Sequence, residues 1–587
     1  MNKFALKKDI WLPIAVLMIA AGFVYFFNLN NKLFWDDSDW IINNIFVHEF
    51  SWTNIKFWFT HDVLAGVGLQ SNYYRPFLFL TFALNYIVAG AQPLFWHLTS
   101  NFIHIANAIL VFFLLRGLEL GISKSQKTAV AFLTALIFSI HPLQTEAVTY
   151  ISGRGDLLVV FFMLLSLLFF DKAGTKYLFL SLLSLILALL SRETAIIFPL
   201  LALVYYVSFR SEGRFIRSIK QGLIKLWPYF AVVFIYGILR LTVLNFQNTL
   251  NFYSAPNAYS ENLLYRIFTF MHVLVDYFKL LLVPIGLHME RSMTVNTSLF
   301  QWPVWLGAGI TAGILGIGYF FYKKNITYFR IWLFGWGVFF IGLGPVSGIT
   351  PINALIYEHW LYLPMIGFWF IVSFYLIQIF DNRNALLLKI QGRTLLVIAL
   401  AVYLLFFSFQ SVKRNILWGK PVDFYKDILR YEPSSTRINN NLGNTYYNQG
   451  NIGEAEFYYR KAIESGDAFA QPYYNLGTIL QSRGKIDEAV KLFDRAIEIN
   501  PAFYYPYQNL AFIYAQRGDL TKAADNIEKL KMIIPNNPRV YYNSALVYLA
   551  LNNREKALVD VQKGLEFSSS DPEIGKLLQD LASRLKK

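Results

Sequence analysis

The chain has 587 residues, of which 56% are hydrophobic and 18% are aromatic, and it contains no cysteine. Apolar runs of about 20 residues recur along it, which excludes an ordinary soluble protein and predicts membrane-spanning helices. The formal net charge is +15. The Lys and Arg residues cluster in short loops between the apolar runs, which indicates membrane topology and excludes a continuous basic surface for nucleic acid. Without cysteine, disulfides and thiolate metal sites are excluded as well.

The first apolar run, 10–27, follows three lysines and predicts a helix that enters the membrane from the cytoplasm. We interpret it as a retained helix rather than a signal peptide, because no clear small-residue cleavage site follows it. The next stretch, 28–44, reads NLNNKLFWDDSDWIINN and places Asp36, Asp37 and Asp39 between two tryptophans. Acids beside a membrane are functional candidates, and the alternative is a solvated acidic loop.

Basic and apolar segments alternate up to residue 411 and predict about 11 spans. The predicted spans are 10–27, 95–115, 128–141, 156–170, 177–190, 195–209, 227–245, 301–322, 331–346, 361–380 and 394–411. Two further apolar stretches, 76–90 and 265–287, are predicted to lie at the membrane surface. An odd number of spans places the region after residue 411 on the far side of the membrane, opposite the N-terminus. We therefore predict a transmembrane domain at 1–415.

A repeat replaces the apolar runs from about residue 433 and predicts a second domain at 436–587, after a linker at 416–435. Three columns recur every 34 positions over about four units, and a C-terminal helix follows. The columns are Leu442, Leu476, Leu510 and Ser544; Ala455, Ala489, Ala523 and Ala557; and Gly450, Gly484, Gly518 and Asn552. This period is typical of tetratricopeptide repeats, pairs of antiparallel helices that stack into an α-solenoid. The chain is thus predicted to be all-α, a membrane helix bundle followed by a solenoid.

A fourth column of the repeats consists of asparagines. Its members are Asn441, Asn475, Asn509 and Asn543, each one residue before the packing column. Asparagine is a poor residue for a helix interior, so four at one register suggest amides that line a groove and bind a peptide backbone. The alternative is that they bond neighbouring repeats and serve packing only.

Polar residues of the predicted far-side loops are candidates for one site. The acids are Asp36, Asp37, Glu146, Asp156, Glu193 and Glu358, and the candidate phosphate ligands are Arg75, His141, Arg154 and Arg192. An aspartate can take the proton of an acceptor hydroxyl, and arginine can bind phosphate oxygens. The set predicts transfer from a phosphate leaving group. Neighbouring residues of an extended loop point in opposite directions, so one aspartate of the pair is expected to be the base, Asp36 being the first choice.

The order of the motifs resembles one family of membrane enzymes. WDD, YYRP, LTFALNY, HLTSNFIH, HPLQTEAVTYISGRGDLL, SRET and YEHWLYLP precede the repeats, and this order is similar to that of the TMTC-type protein O-mannosyltransferases, which have the GT-C glycosyltransferase fold. The resemblance implies inverting transfer of a sugar, mannose as the first choice, from a polyprenyl-phosphate donor to Ser or Thr of extracytoplasmic proteins. It implies a first-loop acid as the base and no cofactor. In YEHWLYLP, His359 and Trp360 stand where the family often has an arginine.

The resemblance also implies a location and partners. A cysteine-free chain with few repeats resembles a bacterial member. We therefore expect a multi-pass protein of the inner membrane whose N-terminus is cytoplasmic and whose repeats are extracytoplasmic. The expected partners are the lipid bilayer, the polyprenyl-phosphate sugar and an acceptor protein held by the repeats.

Other interpretations of these motifs remain open. The DSD of residues 37–39 resembles a metal-binding DxD, but arginine can hold a lipid phosphate without metal, and no metal is expected. His104 is expected to be a hydrogen-bonded core residue, Arg154 could pair with Asp156, and His141 could simply mark a helix end. The chain could also transfer sugar to a glycan or lipid, or be a non-catalytic membrane-anchored repeat scaffold.

Overall fold

The computed structural model describes residues 3–67, 71–211, 215–246, 257–352, 354–381, 390–466, 469–568 and 571–586. Within these ranges every regular element is helical, which confirms the all-α prediction. The chain divides into two compact units, Met1–Lys420 and Pro421–Lys587. The segment 416–435, predicted as a linker, contains the end of one helix and the whole of the helix Pro421–Leu429.

The first unit is a bundle of helices joined by short loops and 3-10 turns. Its helices are α1 (Lys3–Phe26), α2 (Trp52–Thr60), α3 (Pro76–Ala89), α4 (Pro93–Arg116), α5 (Lys124–Ile140), α6 (Gln144–Thr149), α7 (Arg154–Phe170), α8 (Thr175–Ser191), α9 (Phe198–Phe209), α10 (Phe215–Leu241), α11 (Ala258–Glu261), α12 (Leu263–Leu282), α13 (Trp302–Lys324), α14 (Ile326–Leu343), α15 (Pro364–Asp381) and α16 (Ile390–Trp418). The 3-10 turns Ile151–Gly153, Glu193–Ile197 and Glu358–Leu361 lie next to candidate site residues.

Within the described residues, eight helices are long and apolar enough to cross a membrane. They are Asp9–Phe26, Pro93–Arg116, Ile151–Phe170, Phe215–Leu241, Trp302–Lys324, Ile326–Val346, Pro364–Asp381 and Arg393–Trp418. The other three predicted spans are also helical, but α5, α8 and the segment Glu193–Phe209 are no longer than 17 residues. The stretches predicted at the membrane surface form α3 and α12. The protein is therefore a multi-pass membrane protein.

Helix α7 is the most buried of these eight candidate spans. In an 18-residue stretch of Ile151–Phe170, 78% of the residues are buried, compared with 11% in an 18-residue stretch of Arg393–Trp418 at the end of the unit. The exposed apolar side chains of α16 include Leu405 and Phe409, as expected of a helix face that meets lipid. Because α7 packs against both α4 and α8, its first-turn residues Arg154 and Asp156 lie inside the unit.

The sequence explains where the helices around the site begin and end. Pro76 and Pro93 stand at the first positions of α3 and α4, where proline's fixed φ suits a helix and its missing N–H is not needed. Pro142 favours an extended His141, with φ −67° and ψ 132°, and α5 ends at Ile140. The chain then restarts as the short helix α6, which carries Glu146.

His104 is a core residue, as predicted. Its side chain is buried in α4, where Nδ1 lies 2.8 Å from the Tyr362 hydroxyl and Nε2 lies 3.1 Å from the Ser139 carbonyl oxygen. The Asn107 amide donates to the same hydroxyl at 3.1 Å. These bonds satisfy polar groups in an apolar interior, which would otherwise be costly, and they join α4, α5 and the segment before α15.

The second unit is a stack of helix pairs, which confirms the predicted solenoid. Its helices are α17 (Pro421–Leu429), α18 (Thr436–Asn448), α19 (Ile452–Glu464), α20 (Gln471–Ser482), α21 (Ile486–Ile499), α22 (Tyr504–Gln516), α23 (Leu520–Ile533), α24 (Pro538–Ala550), α25 (Arg554–Glu566) and α26 (Pro572–Lys586). The alanine column is buried where the two helices of each pair cross. Gly450, Gly484 and Gly518 have φ between 76° and 78°, and Asn552 has 58°. The turn needs a left-handed residue, which glycine and asparagine tolerate best.

Ser544 occupies the packing column of the fourth repeat, where the other repeats have leucine. Its hydroxyl donates to Asp560 Oδ2 at 2.6 Å, and Lys531 Nζ lies 2.6 and 2.8 Å from the two Asp560 oxygens. A leucine would leave the buried carboxylate with fewer hydrogen bonds. The exception in the column is thus explained by a buried ion pair between α23 and α25.

Candidate functional site

The acidic stretch places its two adjacent aspartates against the segment that precedes α7. Asp37 is only 3% exposed, and its Oδ1 accepts hydrogen bonds from the Ser152 amide at 2.8 Å and the Ser152 hydroxyl at 2.6 Å. Asp36 is half-buried, and its Oδ2 accepts a 2.5 Å hydrogen bond from the Tyr150 hydroxyl. The two carboxylates therefore have different partners, and Asp36 is the more accessible.

The residue before this pair has an unusual backbone conformation. Trp35 has φ 63°, a left-handed value that is rare for a bulky side chain. Backbone strain of this kind persists where the surrounding contacts fix it, and it concentrates at functional sites. After Trp35 the chain turns into the helical turn Ser38–Ile42, with Asp37 as its N-terminal flanking residue.

Burial changes the acidity of the groups in this cluster. It raises the pKa of Asp37 to about 7, although the Ser152 hydrogen bonds act in the opposite direction. Burial and the nearby Asp36 carboxylate raise the pKa of Tyr150 well above its usual value. Tyr150 therefore stays protonated near neutral pH and remains a hydrogen-bond donor to Asp36.

A second cluster contains two arginines that lie at the ends of different helices. Arg75, just before α3, donates from Nε to Glu193 Oε2 at 3.2 Å, and the Tyr74 amide donates to Glu193 Oε1 at 2.7 Å. Arg192, just after α8, forms an ion pair with Asp156 of α7. Asp156 therefore does not pair with Arg154, which answers the question left open by the sequence.

His359 connects this cluster to a buried carboxylate. Its Nε2 lies 3.4 Å from Arg192 Nη2, and its Nδ1 lies 2.5 Å from Glu146 Oε1. Glu146 Oε2 also accepts from the Glu358 amide at 3.2 Å. Burial raises the pKa of Glu146 to about 7 and lowers that of His359 to about 4.

Glu358 forms a separate ion-pair group beside Glu146. Its Oε1 accepts from Arg291 Nη2 at 2.8 Å and from the His288 amide at 2.7 Å. Arg414 of α16 places Nη2 3.7 Å from Glu358 Oε2. The fully buried Glu358 thus has two arginines near it, which compensates the cost of its burial.

A cleft that opens to solvent lies beside the second cluster. Its polar lining includes Asp156, Arg192 and His359. Much of the remaining lining is apolar and includes Val159, Val160, Met163, Val346 and Pro364. A cavity with a cationic group and apolar walls suits a ligand that carries both an anionic group and a hydrocarbon chain.

One segment joins the acidic stretch to the cleft. It is the run 141–154, HPLQTEAVTYISGR, singled out from the sequence. Glu146 binds His359 of the cleft, while Tyr150 and Ser152 bind Asp36 and Asp37. The residue that binds His359 of the cleft and the residues that bind the two aspartates therefore lie within six positions of one another in the sequence.

Two predicted phosphate ligands lie elsewhere. Arg154 is fully buried, and its guanidinium donates to Asn85 Oδ1 at 2.6 Å, the Trp96 carbonyl oxygen at 3.0 Å and Ser100 Oγ at 3.2 Å. His141 lies 3.0 Å from the Leu281 carbonyl oxygen through Nε2, and its Nδ1 accepts from the Leu143 amide at 3.2 Å. The structure does not place these two side chains in the cleft lining with Arg192.

Sequence reasoning missed Tyr150, Ser152, Arg291 and Arg414. The first two lie inside the motif that contains Glu146, so their position was a usable signal. Arg414 follows directly on the last predicted span, where a cation at a helix end is ordinarily interpreted as topology. Only its proximity to Glu358 indicates a different role.

The residues of the DSD motif do not share partners. Asp37 binds Ser152, and Asp39 Oδ1 accepts from the Asn43 amide at 3.4 Å. Among the residues that the structure describes, no group of three or more His, Asp and Glu side chains is arranged to hold a metal ion. That the donor is held without metal stays a prediction.

In the second unit, two residues of the asparagine column bond to amides of the preceding repeat. Asn475 Nδ2 donates to Asn440 Oδ1 and Asn444 Oδ1, both at 2.9 Å. Asn509 Nδ2 donates to Gln481 Oε1 at 2.9 Å. These bonds support the alternative in which the column links neighbouring repeats. The carbonyl oxygens of the two amides remain able to accept from a ligand.

Comparison with known proteins supports both units. Tetratricopeptide repeat family models match residues 436–465, 470–503, 492–524 and 538–571. A protein O-mannosyl-transferase of Caenorhabditis elegans, F38B6.6, is 25% identical over 455 residues, covering 76% of this chain and 61% of that protein. Human TMTC1 is 24% identical over 69% of this chain and 50% of its own length, and human TMTC4 is 26% identical over 72% and 62%.

The chain is similar to the TMTC-family protein O-mannosyltransferases. This similarity confirms the resemblance noted from the motifs. The chain spans between 50 and 62% of the length of the three relatives named here.

Two solved structures, MamA and YrrB, are similar to part of this chain. MamA is 26% identical with a TM-score of 0.24, covering 26% of this chain and 83% of MamA. YrrB, described as a TPR protein with an unusual peptide-binding site, is 22% identical with a TM-score of 0.24, covering 35% of this chain and 96% of YrrB.

Proposed function

We propose that this protein is an inverting membrane glycosyltransferase. It transfers a sugar, mannose in the first instance, from a polyprenyl-phosphate donor to Ser or Thr hydroxyls of extracytoplasmic proteins. The similarity to TMTC-family O-mannosyltransferases supports the reaction class. One observation carries the proposal: the segment 141–154 binds both the accessible carboxylate of Asp36 and His359 of the cleft. That cleft has a cationic side chain and apolar walls.

Asp36 acts as the general base in this proposal. The acceptor hydroxyl oxygen attacks the anomeric carbon of the sugar, and its proton passes to the Asp36 carboxylate. The bond from the anomeric carbon to the phosphate oxygen breaks, and its electron pair stays with the phosphate. Tyr150 fixes the orientation of Asp36 through the 2.5 Å hydrogen bond. Asp37 is too buried to meet an acceptor and instead anchors the loop to Ser152.

Arg192 is the first choice for the donor phosphate ligand, supported by Arg75. Arg192 lines the cleft, and the apolar walls would contact the isoprenoid chain. Without donor, Arg192 forms an ion pair with Asp156, and a phosphate can partly replace this carboxylate. Arg154 and His141 are left out of this assignment, because each is bound to neutral groups within the fold.

The repeats bind the acceptor protein in this proposal. An amide oxygen accepts from any backbone N–H, so a column of asparagines can hold a peptide whatever its side chains are. Holding the acceptor raises its local concentration without changing the chemistry. The extracytoplasmic location of the repeats and the inner-membrane setting belong to the same proposal.

The test is transfer by the purified protein in vesicles. Radiolabelled polyprenyl-phosphate mannose and a Ser/Thr-rich protein are supplied, with nucleotide-activated mannose as the control donor. Labelled protein formed only from the lipid donor and lost in Asp36→Asn supports the proposal. Label that enters a glycan or lipid instead would show a different acceptor. Donor that stays intact with every acceptor would leave the non-catalytic scaffold as the better interpretation.

A further inference from the structure

His359 is a polar residue of the cleft that contacts an arginine through one ring nitrogen and a carboxylate through the other. An arginine nitrogen can only donate, so the 3.4 Å approach of Arg192 Nη2 to His359 Nε2 requires an unprotonated Nε2. The ring hydrogen is then on Nδ1 and is donated to Glu146 Oε1 at 2.5 Å. The tautomer is thus set by its two neighbours, and Nε2 is the nitrogen next to the arginine that lines the cleft.

The ring is also held in place by its surroundings. His359 stacks on Tyr357, with ring centroids 5.2 Å apart and planes 22° apart, in the 3-10 turn Glu358–Leu361. Glu146 is held by the Glu358 amide at 3.2 Å as well as by His359. A carboxylate behind an imidazole both orients the ring and stabilises the ring when it is protonated.

The charges around His359 decide when it can carry a proton. The charged and titratable groups that face it are Glu146 of α6, Asp156 of α7, Arg192 after α8, Arg75 before α3, and Glu358 of its own turn. Burial and the two arginines disfavour the imidazolium, while Asp156 and Glu358 favour it. The contact of Nε2 with Arg192 favours the neutral ring in the absence of a ligand. A phosphate oxygen placed between Arg192 and His359 would bring negative charge next to Nε2 and would favour protonation of that nitrogen.

We propose that His359, positioned by Glu146, takes up a proton when the donor binds and hydrogen-bonds the donor phosphate through Nε2. The inference rests on the proposed function in that the donor carries a phosphate. The imidazolium and Arg192 would then contact the same phosphate from two sides. The charge left on the phosphate after the sugar departs would be stabilised by both. The cost is that donor binding becomes dependent on pH.

The direction of that dependence follows from linkage. If the complex holds one proton more than the free protein, donor affinity falls as pH rises, by up to about tenfold per pH unit. The pKa of His359 in the free protein is lowered to about 4, so the fall should begin above that pH. It should end at the higher pKa that the ring has in the complex.

The test measures binding without transfer, so that it does not depend on catalysis. The probe is a polyprenyl methyl phosphodiester, which keeps a single negative charge across this pH range. Its Kd is determined by calorimetry on the full-length protein between pH 5 and 8, in two buffers of different ionisation enthalpy. We expect Kd to rise by at least about tenfold across the range, with proton uptake of up to one per ligand.

Three variants separate a phosphate contact from a structural role. His359→Arg keeps a cation in the cleft and should bind the probe at every pH. The slope of its log Kd against pH should lack the contribution that His359 makes in the wild-type protein. Glu146→Gln should move the slope to lower pH, because the imidazolium loses its carboxylate partner. His61→Gln, a change at an exposed histidine, should leave the slope unchanged. Thermal unfolding of each variant shows whether the protein remains folded.

The outcomes are distinguishable from failure of the proposed function. A wild-type slope equal to that of His359→Arg would overturn the role of His359, whatever the transferase activity. Phosphatidylglycerol binding as tightly as the isoprenoid probe would overturn the assignment of the cleft to the donor. A His359-dependent slope in a protein that transfers no sugar would support this phosphate site and contradict the proposed reaction.

Discussion

Tyr150 donates a 2.5 Å hydrogen bond to Asp36 across 114 positions of sequence. The bond ties the loop after α1 to the segment before α7. Tyr150 also stacks on Trp418 at the end of α16, with ring centroids 5.7 Å apart. The candidate base is therefore fixed by parts of the first unit that are far apart in the chain, and it does not move freely in a solvated loop.

We expect Asp36→Asn to lower sugar transfer by at least about a hundredfold, because the amide cannot accept the acceptor proton. The variant should fold normally, since its side-chain oxygen can still accept from Tyr150. Initial rates with polyprenyl-phosphate mannose measure the effect. Asp39→Asn is the matched control in the same loop and should keep near-normal turnover. Equal loss in both variants would assign the effect to the loop rather than to Asp36.

The buried Asp37 should make stability depend on pH. Its pKa is raised to about 7 in the folded protein, so between about pH 4 and 7 the folded state binds more protons than the unfolded state. Stability from this group is therefore present at low pH and is lost as pH rises through 7. Asp37→Asn should remove that loss, measured as the difference in thermal midpoint between pH 5 and 8. An unchanged difference would show that Asp37 is already ionised when folded.

Arg192→Ala should weaken binding of the polyprenyl-phosphate donor by roughly 10- to 100-fold, the value of a lost charge-assisted hydrogen bond. The affinity for an acceptor peptide should change little. Arg154→Lys serves as the control, because Arg154 binds neutral groups inside the bundle. That change should lower the thermal midpoint and leave donor affinity intact. Loss of donor affinity in Arg154→Lys but not in Arg192→Ala would instead assign phosphate binding to Arg154.

Replacing Asn441, Asn475, Asn509 and Asn543 by alanine should raise the KM for a protein acceptor and leave transfer to a concentrated short peptide largely intact. Removing the chain after residue 432 should have the same effect. Asn526→Ala is the control, since this half-buried asparagine lies outside the column and donates to the Lys522 carbonyl oxygen of its own helix. A quadruple variant that loses only stability would show that the column serves repeat packing.

Topology can be tested with single cysteines, since the chain has none of its own. Lys220 and Lys32 are exposed and suit this labelling. Lys220→Cys should react with a membrane-impermeant maleimide only from the cytoplasmic side, and Lys32→Cys only from the far side. Reaction of both from one side would contradict the predicted topology.

The architecture of both units could be predicted from the sequence. Long apolar runs can only be buried in lipid or in a core, so the eight long spans were readable from length and composition. The period of 34 fixed the helix pairs of the repeats, because the alanine and glycine columns are local requirements of each pair. The acidic stretch and the motif at 141–154 were also visible as candidates.

Which candidate residues contact one another could not be predicted from the sequence and is seen in the folded protein. Arg154 and Arg192 are equivalent as sequence signals, yet one donates to neutral groups inside the bundle and the other lines the cleft. His359 looked like a departure from a family pattern, and its 2.5 Å bond to Glu146 joins residues 213 positions apart. The physical reason is that spacing and composition report local geometry. Burial, ion pairing and the tautomer of a ring depend on neighbours that distant segments supply.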